Sequence, residues 1–478
     1  MAFKILNFLF VLLEVVVLFN IIIIVHELGH FLAARWRGLH VEGFGVWFGK
    51  PIWQKEINGV VYSLGSIPAG GFVKLPQLAP MDIIEGESDT PREKLPTISA
   101  LDKIIVAFAG PLFSFGLAIL LACAVWAVGR PVSEIESTTV VGLVQPGMPG
   151  EKAGFQPGDK ILEVDGNPVK RFHGMVDSVT WFIVRSEGEK IEFKIERGGR
   201  EMTLESGWVR APSHRFGREG LRQVGLIPEE THTVGKVEAG SPAAEAGLQP
   251  GDVVTHLDGT AVFSPFVLIE AIEKDPNAPL YLTLRRGETW LNVTVVPKVL
   301  PVAGSEPRAR IGIQWDPGRI VLAHPSPKQQ IADSVTTIGN MLDALFSPKS
   351  DVKAQHFSGP VGIGRLYYDM LQNENGWRLA LWFSVFFNVN LAILNLLPLP
   401  VLDGGHIVLA MIESIRRRPV NIRLLEIVQS ACALLIIGYM LYVTFFDVQD
   451  LPWRRLTGSE TTETQPAASP APATSPAE

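Results

Sequence analysis

Long apolar runs separated by polar segments organise this chain. Four runs reach the length of about 20 mostly apolar residues that a helix needs to cross a bilayer. They cover residues 1–35, 104–128, 379–403 and 427–446. The second and fourth contain no Asp, Glu, Lys or Arg, and the third contains none before Asp403. The pattern predicts a multi-pass α-helical membrane protein with four transmembrane helices.

Composition supports membrane insertion and limits the partners. The 478 residues are 47% hydrophobic, and the mean hydropathy of +0.23 is high for a soluble protein. The net charge of -7 comes without a dense Lys/Arg patch, so we expect no nucleic-acid binding. A cleaved signal peptide is the alternative for the first run, but that run is too long and no small-residue cleavage site follows it. The lipid bilayer is therefore the first predicted partner.

Basic residues in the short loops predict the orientation. The segment 404–426 carries four arginines between the third and fourth runs, and the positive-inside rule places it in the cytoplasm. Because the spans alternate, the segment 36–103 is also expected in the cytoplasm, in agreement with Arg35 and Arg37. Both termini and the long segment between the second and third runs are then expected outside.

The long external segment contains a duplication. Residues 142–169, GLVQPGMPGEKAGFQPGDKILEVDGNPV, align without a gap to residues 235–262, GKVEAGSPAAEAGLQPGDVVTHLDGTAV. The constant offset of 93 residues is the size of one small domain rather than of a solenoid unit. Each copy predicts a strand, a short helix, a tight turn at QPGD and then alternating strands. We therefore expect two tandem α/β domains, at 129–215 and 216–300, between the second and third spans.

These copies resemble PDZ domains, of the circularly permuted kind found in bacterial proteases. A PDZ domain binds an extended peptide as an added strand at a sheet edge, so peptide C-termini are candidate partners. For the second copy we expect that edge at Val224, Gly225 and Leu226, whereas the first copy shows no clear equivalent before Val140. The alternative, that both domains act only as spacers or steric filters, stays open.

Two further features of composition affect the picture. Residues 457–478 are mostly Thr, Pro, Ala, Ser and Glu, so we predict a disordered tail. The two cysteines, Cys123 and Cys432, lie inside predicted spans. The external segment is therefore predicted to have no disulfide, and a Cys-based metal site is excluded.

Titratable residues end the first apolar run, in the sequence IIIIVHELGH at residues 21–30. On a helix, residues four apart share a face, so His26 and His30 can hold one zinc ion. Glu27 can then take a proton from a water at that ion, which is the H-E-x-x-H arrangement of metalloproteases. Ionisable residues inside a membrane are costly and are functional candidates by default. This context favours a metal site over a chance surface motif.

A catalytic zinc ion needs a third protein ligand, and the third run supplies a candidate. Its end, NLLPLPVLDGGH at residues 395–406, carries Asp403. Pro398 and Pro400 preclude a regular helix there, and irregular backbone at membrane depth is tolerated only where it lines a cavity or packs on protein. Asp403 is therefore predicted to face the two histidines, with a helix cap at the membrane surface as the alternative. His406 is interpreted as a neighbouring polar group rather than a ligand.

HELGH, LDGGH and the PDZ-like domains together resemble the site-2 protease family of intramembrane zinc metalloproteases, in its bacterial branch with two PDZ domains. The resemblance covers nearly the whole chain apart from the tail. It implies one Zn2+ ion per chain, held by His26, His30 and Asp403, with Glu27 as the catalytic base. It also implies that Asn395 contacts the substrate backbone near the scissile bond.

The cytoplasmic segment 36–103 contains a further match to that family. Residues 63–76, which include Gly70 and Gly71, follow the hairpin signal Asn58-Gly59. They match the family's membrane-associated β-hairpin, which would pair with an unwound substrate strand. A plain cytoplasmic hairpin is the alternative, and it stays open.

Other segments match the family outside the two zinc motifs. The predicted linker 301–378 matches a region that carries an amphipathic surface helix, here at 331–345, and an SGP stretch, here at 357–363. AGPLFSF at 109–115 matches the Gly-Pro motif of the second span. Ser114 stands where the family usually has Asn, so a role of that Asn in substrate contact does not carry over.

The resemblance implies an endopeptidase that cleaves within the transmembrane segments of single-span membrane proteins. Implied substrates are anti-sigma factors, shortened first by another protease, and remnant signal peptides. The implied location is the bacterial cytoplasmic (inner) membrane, with the PDZ-like domains on the periplasmic side, where they could exclude untrimmed substrates. A membrane-tethered PDZ adaptor without proteolytic activity is the alternative function, and it would need neither HELGH nor LDGG.

Overall fold

The computed structural model describes residues 2–78, 95–96, 98–213, 217–302, 305–316, 318, 320–373, 375–418 and 420–450. The chain divides into two compact units, which we call the helical unit and the sheet-rich unit. The helical unit comprises residues 1–131, 323–339 and 358–448, and the sheet-rich unit comprises residues 132–322, 340–357 and 449–478. The predicted disordered tail at 457–478 lies outside the described residues.

Long helices form most of the helical unit, and short helices recur in the sheet-rich unit. In chain order the α-helices are α1 (Ala2–Trp36), α2 (Ala100–Val128), α3 (Glu134–Ser137), α4 (Pro149–Lys152), α5 (Val179–Arg185), α6 (Pro242–Glu245), α7 (Phe266–Lys274), α8 (Pro327–Phe346), α9 (Pro360–Leu371), α10 (Gly376–Asn395), α11 (Asp403–Arg416) and α12 (Ile422–Gln449). The helix α8 covers the amphipathic helix predicted at 331–345.

Four helices are long and apolar enough to cross a membrane among the residues that the structure describes. They are α1 from Phe8 onward, α2, α10 and α12 from Arg423 onward. On α12, Leu434 and Leu435 are 71% and 73% exposed, as suits side chains that face lipid. These four candidate helices fit the predicted membrane protein.

The third apolar run differs from the prediction at its end. The helix α10 ends at Asn395, and α11 begins at Asp403, so the spanning helix is shorter than the predicted segment 379–403. Pro398 and Pro400 cannot donate the backbone hydrogen bonds of a helix. The irregular backbone predicted before Asp403 is confirmed, and it separates two helices.

A four-stranded sheet follows α1 within the helical unit. Its strands are β1 (Gly43–Phe48), β2 (Trp53–Ile57), β3 (Val60–Leu64) and β4 (Ile67–Lys74), in the order β2-β3-β1-β4. The turn Asn58-Gly59 joins β2 to β3 as predicted, with φ of 53° and 75° at its two residues.

The hairpin expected over residues 63–76 is replaced by a different pairing. The strand β1 lies between β3 and β4, parallel to the first and antiparallel to the second. The Phe72 ring of β4 lies over Gly45 of β1, where an added Cβ would come within 2.2 Å of the ring. This packing holds β4 against β1 rather than against β3, so β4 is an edge strand of the sheet.

Strands dominate the sheet-rich unit, and the sequence duplication is visible in their order. The remaining strands are β5 (Arg130–Ser133), β6 (Val141–Val144), β7 (Lys160–Val164), β8 (Asn167–Pro168), β9 (Ile191–Arg197), β10 (Arg200–Ser206), β11 (Val209–Arg210), β12 (Arg222–Gln223), β13 (Leu226–Pro228), β14 (Val234–Val237), β15 (Val253–Leu257), β16 (Thr260–Ala261), β17 (Leu280–Arg286), β18 (Thr289–Val295), β19 (Lys298–Val302), β20 (Ser305–Arg310), β21 (Ile313–Trp315) and β22 (Ile320–Ala323). The first repeat forms the sheet β10-β9-β7-β8, and the second forms β16-β15-β17-β18. These sheet-rich regions are consistent with PDZ domains.

Strand pairing corrects the assignment of the expected peptide-binding edge. The sequence predicts Val224, Gly225 and Leu226 as part of the second repeat, but the structure shows them in the first. The strand β13 pairs with β6, with Leu226 opposite Val144, and Val224 is 1% exposed in the apolar core of the first repeat. The second repeat instead pairs β14 with β21. Each repeat thus takes this strand from the chain that follows its main sheet, as a circular permutation allows.

A buried aspartate holds the QPGD turn in each repeat. Asp159 is 1% exposed, and it accepts hydrogen bonds from Arg197 Nε at 2.6 Å and from the Gln156 N–H at 2.8 Å. Asp252 repeats the arrangement with Arg286 Nε at 2.7 Å. Although burial opposes ionisation of Asp252, the hydrogen bonds from Arg286 and the backbone hold its pKa below the usual range. The turn and the arginine-bearing strand therefore form one structural element in both copies.

A second buried ion pair attaches residues 340–357 to the first repeat. Arg222 and Asp351 are 7% and 5% exposed, and Arg222 Nε donates to Asp351 Oδ2 at 2.9 Å. Arg210 donates to the other carboxylate oxygen at 2.9 Å. Burial opposes ionisation of Asp351, but the two guanidinium groups outweigh it and hold the pKa of Asp351 below its usual range. Beside the ion pair lies an apolar cluster of Trp181, Val184, Ala344 and Val352.

Replacing Asp351 by Ala is expected to loosen this attachment. The Arg222 guanidinium would lose its charge partner in a buried site, which costs about 3 kcal/mol. Because folding lowers the pKa of Asp351, the stabilisation is complete above the unfolded pKa of about 4 and is lost as the pH falls below it. Amide hydrogen exchange across residues 340–357 at pH 7, in full-length protein, measures the effect.

The matched control for this variant is Arg210→Ala. The Arg210 side chain is 56% exposed, and exposed ion pairs contribute about 1 kcal/mol or less. We therefore expect much faster exchange in Asp351→Ala than in Arg210→Ala. Equal exchange rates in the two variants would contradict the importance of the buried pair.

Candidate metal centre

Three metal-binding side chains meet in the helical unit. His26 and His30 lie one turn apart on α1, and Asp403 is the first residue of α11. Asp403 Oδ2 lies 3.2 Å from His26 Nε2, and Asp403 Oδ1 lies 3.3 Å from His30 Nε2. The two Nε2 atoms are 3.3 Å apart. In the described part of the chain, this is the group of three His, Cys, Asp or Glu side chains whose ligand atoms lie within 4.8 Å of one another.

The ring orientations fit a metal ion at the centre of this cluster. His30 Nδ1 lies 2.8 Å from the backbone oxygen of Val106. A carbonyl only accepts hydrogen bonds, so Nδ1 of His30 carries the proton and Nε2 keeps its lone pair for a metal. His26 Nδ1 lies 3.0 Å from Ser114 Oγ. Two imidazole nitrogens and a carboxylate are a donor set of catalytic zinc sites, which keep a fourth position open. The residues present therefore fit Zn2+.

The LDGG sequence explains how Asp403 reaches the histidines. The glycines that follow it pack directly on the irregular segment after α10. A Cβ on Gly404 would lie 2.2 Å from Leu396 O, and a Cβ on Gly405 would lie 2.1 Å from Leu399 O. A side chain at either position would push the start of α11 away from that segment. The carboxylate of Asp403 would move with it.

Glu27 lies beside the edge strand β4. A Cβ built on Gly71 would lie 3.1 Å from Glu27 Cγ and 3.1 Å from Ile23 Cγ2, so the backbone of β4 passes directly along α1. Gly70 has a φ of 79°, and the space of its missing side chain is filled by the Phe48 ring. The structure thus brings Gly71 of the predicted substrate-binding set next to the predicted base, whereas Gly70 packs on Phe48.

Asn395, the last residue of α10, also reaches the cluster. Its Nδ2 lies 3.4 Å from His26 Nε2, so an amide group that can donate a hydrogen bond stands beside the metal ligands. His406 is not part of the ligand cluster among the described residues, as its interpretation as a neighbouring group requires. The candidate peptide-binding residues Val224, Gly225 and Leu226 belong to the sheet-rich unit.

Two contacts at the centre are absent from the sequence-based prediction. They are the hydrogen bonds from the histidine rings to Ser114 Oγ and to the carbonyl of Val106. Ser114 enters that prediction only as a departure from the family pattern. The available signal is spacing, because Val106, Gly110 and Ser114 follow one another at intervals of four and share a face of α2.

Similarity to known proteins extends over most of the chain. The model of peptidase family M50 matches residues 14–439. The chain is 32% identical, over 90% of its length and 97% of the relative, to a Neisseria meningitidis protein named "Putative zinc metalloprotease". It is 28% identical to Protease RseP of Yersinia pestis, with 90% of this chain and 97% of the relative covered. It is 27% identical to the Regulator of sigma E protease of Salmonella typhi, with 92% and 99% covered.

Replacing Asp403 by Ala is expected to remove most of the bound zinc, because three protein ligands become two. Zinc content of the purified full-length protein, measured by elemental analysis, checks this. His406→Ala is the matched control on the same helix, and it should keep its zinc. Undiminished zinc in Asp403→Ala would remove Asp403 from the ligand set.

Proposed function

The chain belongs to peptidase family M50, and on that premise we propose that it is an intramembrane zinc metalloendopeptidase that hydrolyses peptide bonds within transmembrane segments. The observation that carries the proposal is the cluster of His26, His30 and Asp403 with Glu27 at the end of an apolar helix. Ionisable groups at membrane depth are expensive, and a hydrolytic site accounts for their presence there. The cofactor is Zn2+, one ion per chain.

The chemistry assigns a role to each polar group near the cluster. A zinc ion, when bound, supplies a Lewis acid that makes water more acidic and polarises a carbonyl oxygen. The carboxylate of Glu27 takes the proton from the attacking water and returns it to the leaving amine. Asn395 donates an Nδ2–H hydrogen bond to a carbonyl of the substrate backbone, and this holds the peptide beside the ligands.

The substrate must be extended before it can be cut. A helix hides its carbonyl and N–H groups in its own hydrogen bonds, so cleavage requires local unwinding. No described strand pairs with β4 on the side away from β1, and a free edge can accept a further strand. A substrate strand added along Gly70 and Gly71 would replace the lost helical hydrogen bonds. It would also run past Glu27, beside which Gly71 lies.

The two repeats are proposed as PDZ-like domains on the periplasmic side of the bacterial cytoplasmic (inner) membrane. The arginine-rich segment 404–426 supports this orientation by the positive-inside rule. Each repeat has a short strand, β13 or β21, that pairs on one side with the strand opening its own repeat. A peptide C-terminus could add to the other side of such a strand.

The name of the Salmonella typhi relative refers to regulation of sigma E, and this supports a substrate that takes part in such regulation. We propose single-span membrane proteins such as an anti-sigma factor, together with remnant signal peptides. In that function the sheet-rich unit acts as a filter, which admits a substrate only after another protease has removed its bulky external domain.

Glu27→Gln is expected to keep zinc and to lose cleavage. The amide cannot take a proton from water, so the rate should fall by a factor of about 100 or more. The measurement is cleavage of a tagged single-span substrate by detergent-solubilised protein, with zinc content determined in parallel. Glu14→Gln, on the same helix, is the matched control and should cleave normally. Retained activity in Glu27→Gln, or wild-type activity that survives a chelator, would overturn the assignment.

Removing both repeats, residues 141–315, tests the filter. Two substrates with the same transmembrane segment are compared, one with its external domain intact and one already trimmed. We expect the wild type to cut the trimmed substrate only and the deletion variant to cut both. A variant that cuts the trimmed substrate and still refuses the intact one would show that size selection lies elsewhere.

A further inference from the structure

We propose that Ser114 is a positioning residue for the metal centre, whose hydroxyl accepts the Nδ1–H of His26 and so fixes the ring that presents Nε2 to the ion. The two atoms are 3.0 Å apart. This proposal rests on the zinc site proposed above and adds a part of it that lies outside the ligand set.

Burial makes this contact important for His26. Ser114 is fully buried, and His26 is 8% exposed. Water has little access to an N–H group at such a buried position, and leaving that group without a hydrogen-bond partner costs free energy. The position of Ser114 on α2 therefore favours one rotation of the His26 ring, in which Nδ1 points at α2 and Nε2 points at Asp403.

The direction of the hydrogen bond follows from what a metal requires. A zinc ion binds the lone pair of a neutral imidazole nitrogen, so His26 Nε2 must be free of a proton and Nδ1 must carry it. Nδ1 is then the donor, and Ser114 Oγ is the acceptor.

Ser114 belongs to a face of α2 that is shaped for the two histidines. One turn before it, Gly110 leaves room for the second ring, because a Cβ there would lie 2.1 Å from His30 Nε2. A further turn back, the Val106 carbonyl accepts from His30 Nδ1. The two helices also approach closely at Gly29, where a Cβ would lie 2.4 Å from Ala109 O. The face thus holds both rings by their Nδ1 atoms.

The close approach of α1 and α2 explains why a short side chain suffices at this position. A serine hydroxyl supplies a hydrogen-bond acceptor on a short side chain. The contact with His26 thus accounts for a polar group at position 114.

The test measures zinc affinity in the full-length, detergent-solubilised protein. Removing the group that hydrogen-bonds the other ring nitrogen of a metal-bound histidine typically weakens metal affinity by a factor of about 10 to 100. We expect Ser114→Ala to bind zinc about 10 to 100 times more weakly than wild type in competition with a chelator. Raising free zinc should restore full occupancy of the variant.

Ser384→Ala is the matched control. Ser384 is 2% exposed, lies in the spanning helix α10, and its hydroxyl bonds to Tyr367 at 2.8 Å rather than to a metal ligand. This variant should keep wild-type zinc affinity. An equal loss of affinity in Ser384→Ala and Ser114→Ala would show a general packing effect and overturn the proposal, as would a Ser114→Ala affinity within twofold of wild type.

A second measurement needs no variant. Nitrogen NMR of labelled histidine in the zinc-loaded wild type should find the proton of His26 on Nδ1, and a proton on Nε2 would overturn the proposal.

Different results would refute the proposed zinc site and the proposed role of Ser114. A wild type that binds no zinc would refute the proposed function, whereas zinc binding that Ser114→Ala leaves unchanged would refute only the role of Ser114.

Discussion

Polar groups at membrane depth must find their partners within the protein, because hydrocarbon offers none. The two histidines of α1 meet this constraint on both sides of their rings. Their Nδ1 atoms bond to α2, at Ser114 and Val106, and their Nε2 atoms face Asp403. Three separate parts of the chain must therefore converge on one pair of rings. The break after α10 lets Asp403 reach the rings, and the close contact of α1 with α2 supplies the partners of their Nδ1 atoms.

Much of the helical unit can be predicted from sequence because its determinants are local. The four-residue spacing of His26 and His30 is a property of one helix, and the irregular backbone before Asp403 follows from two prolines in a short segment. Few ionisable residues lie in the apolar runs, so few other partners for the two histidines are available, and their meeting with Asp403 can be predicted. The contact of Ser114 with His26 is different. It depends on how closely α1 and α2 pack. The two helices can approach because Gly29 of α1 has no side chain to strike the backbone of α2, and Gly110 of α2 has none to strike the His30 ring.

The errors in the sheets share one physical origin, which is that strand order is not local. The turn at Asn58-Gly59 is predicted correctly because two adjacent residues determine it. The partner of β4 is β1 rather than its neighbour β3, and the choice depends on side-chain packing between distant positions. Likewise Leu226 pairs with Val144, far back in the chain. The duplication identifies two similar domains, but a repeat in sequence cannot show which copy takes a strand that lies between them.

Glycine recurs wherever a second backbone approaches the metal centre. Gly110 makes room for His30, the pair Gly404 and Gly405 lets α11 pack on the turn before it, and Gly71 lets β4 lie against Glu27. In each case an added Cβ would come within about 3 Å of another atom, closer than nonbonded carbon atoms pack at their optimal separation. The positions of the chemical groups are therefore set by close backbone packing. The same packing places the free edge of β4 beside Glu27, so the contact that fixes the base also defines where an extended peptide could lie.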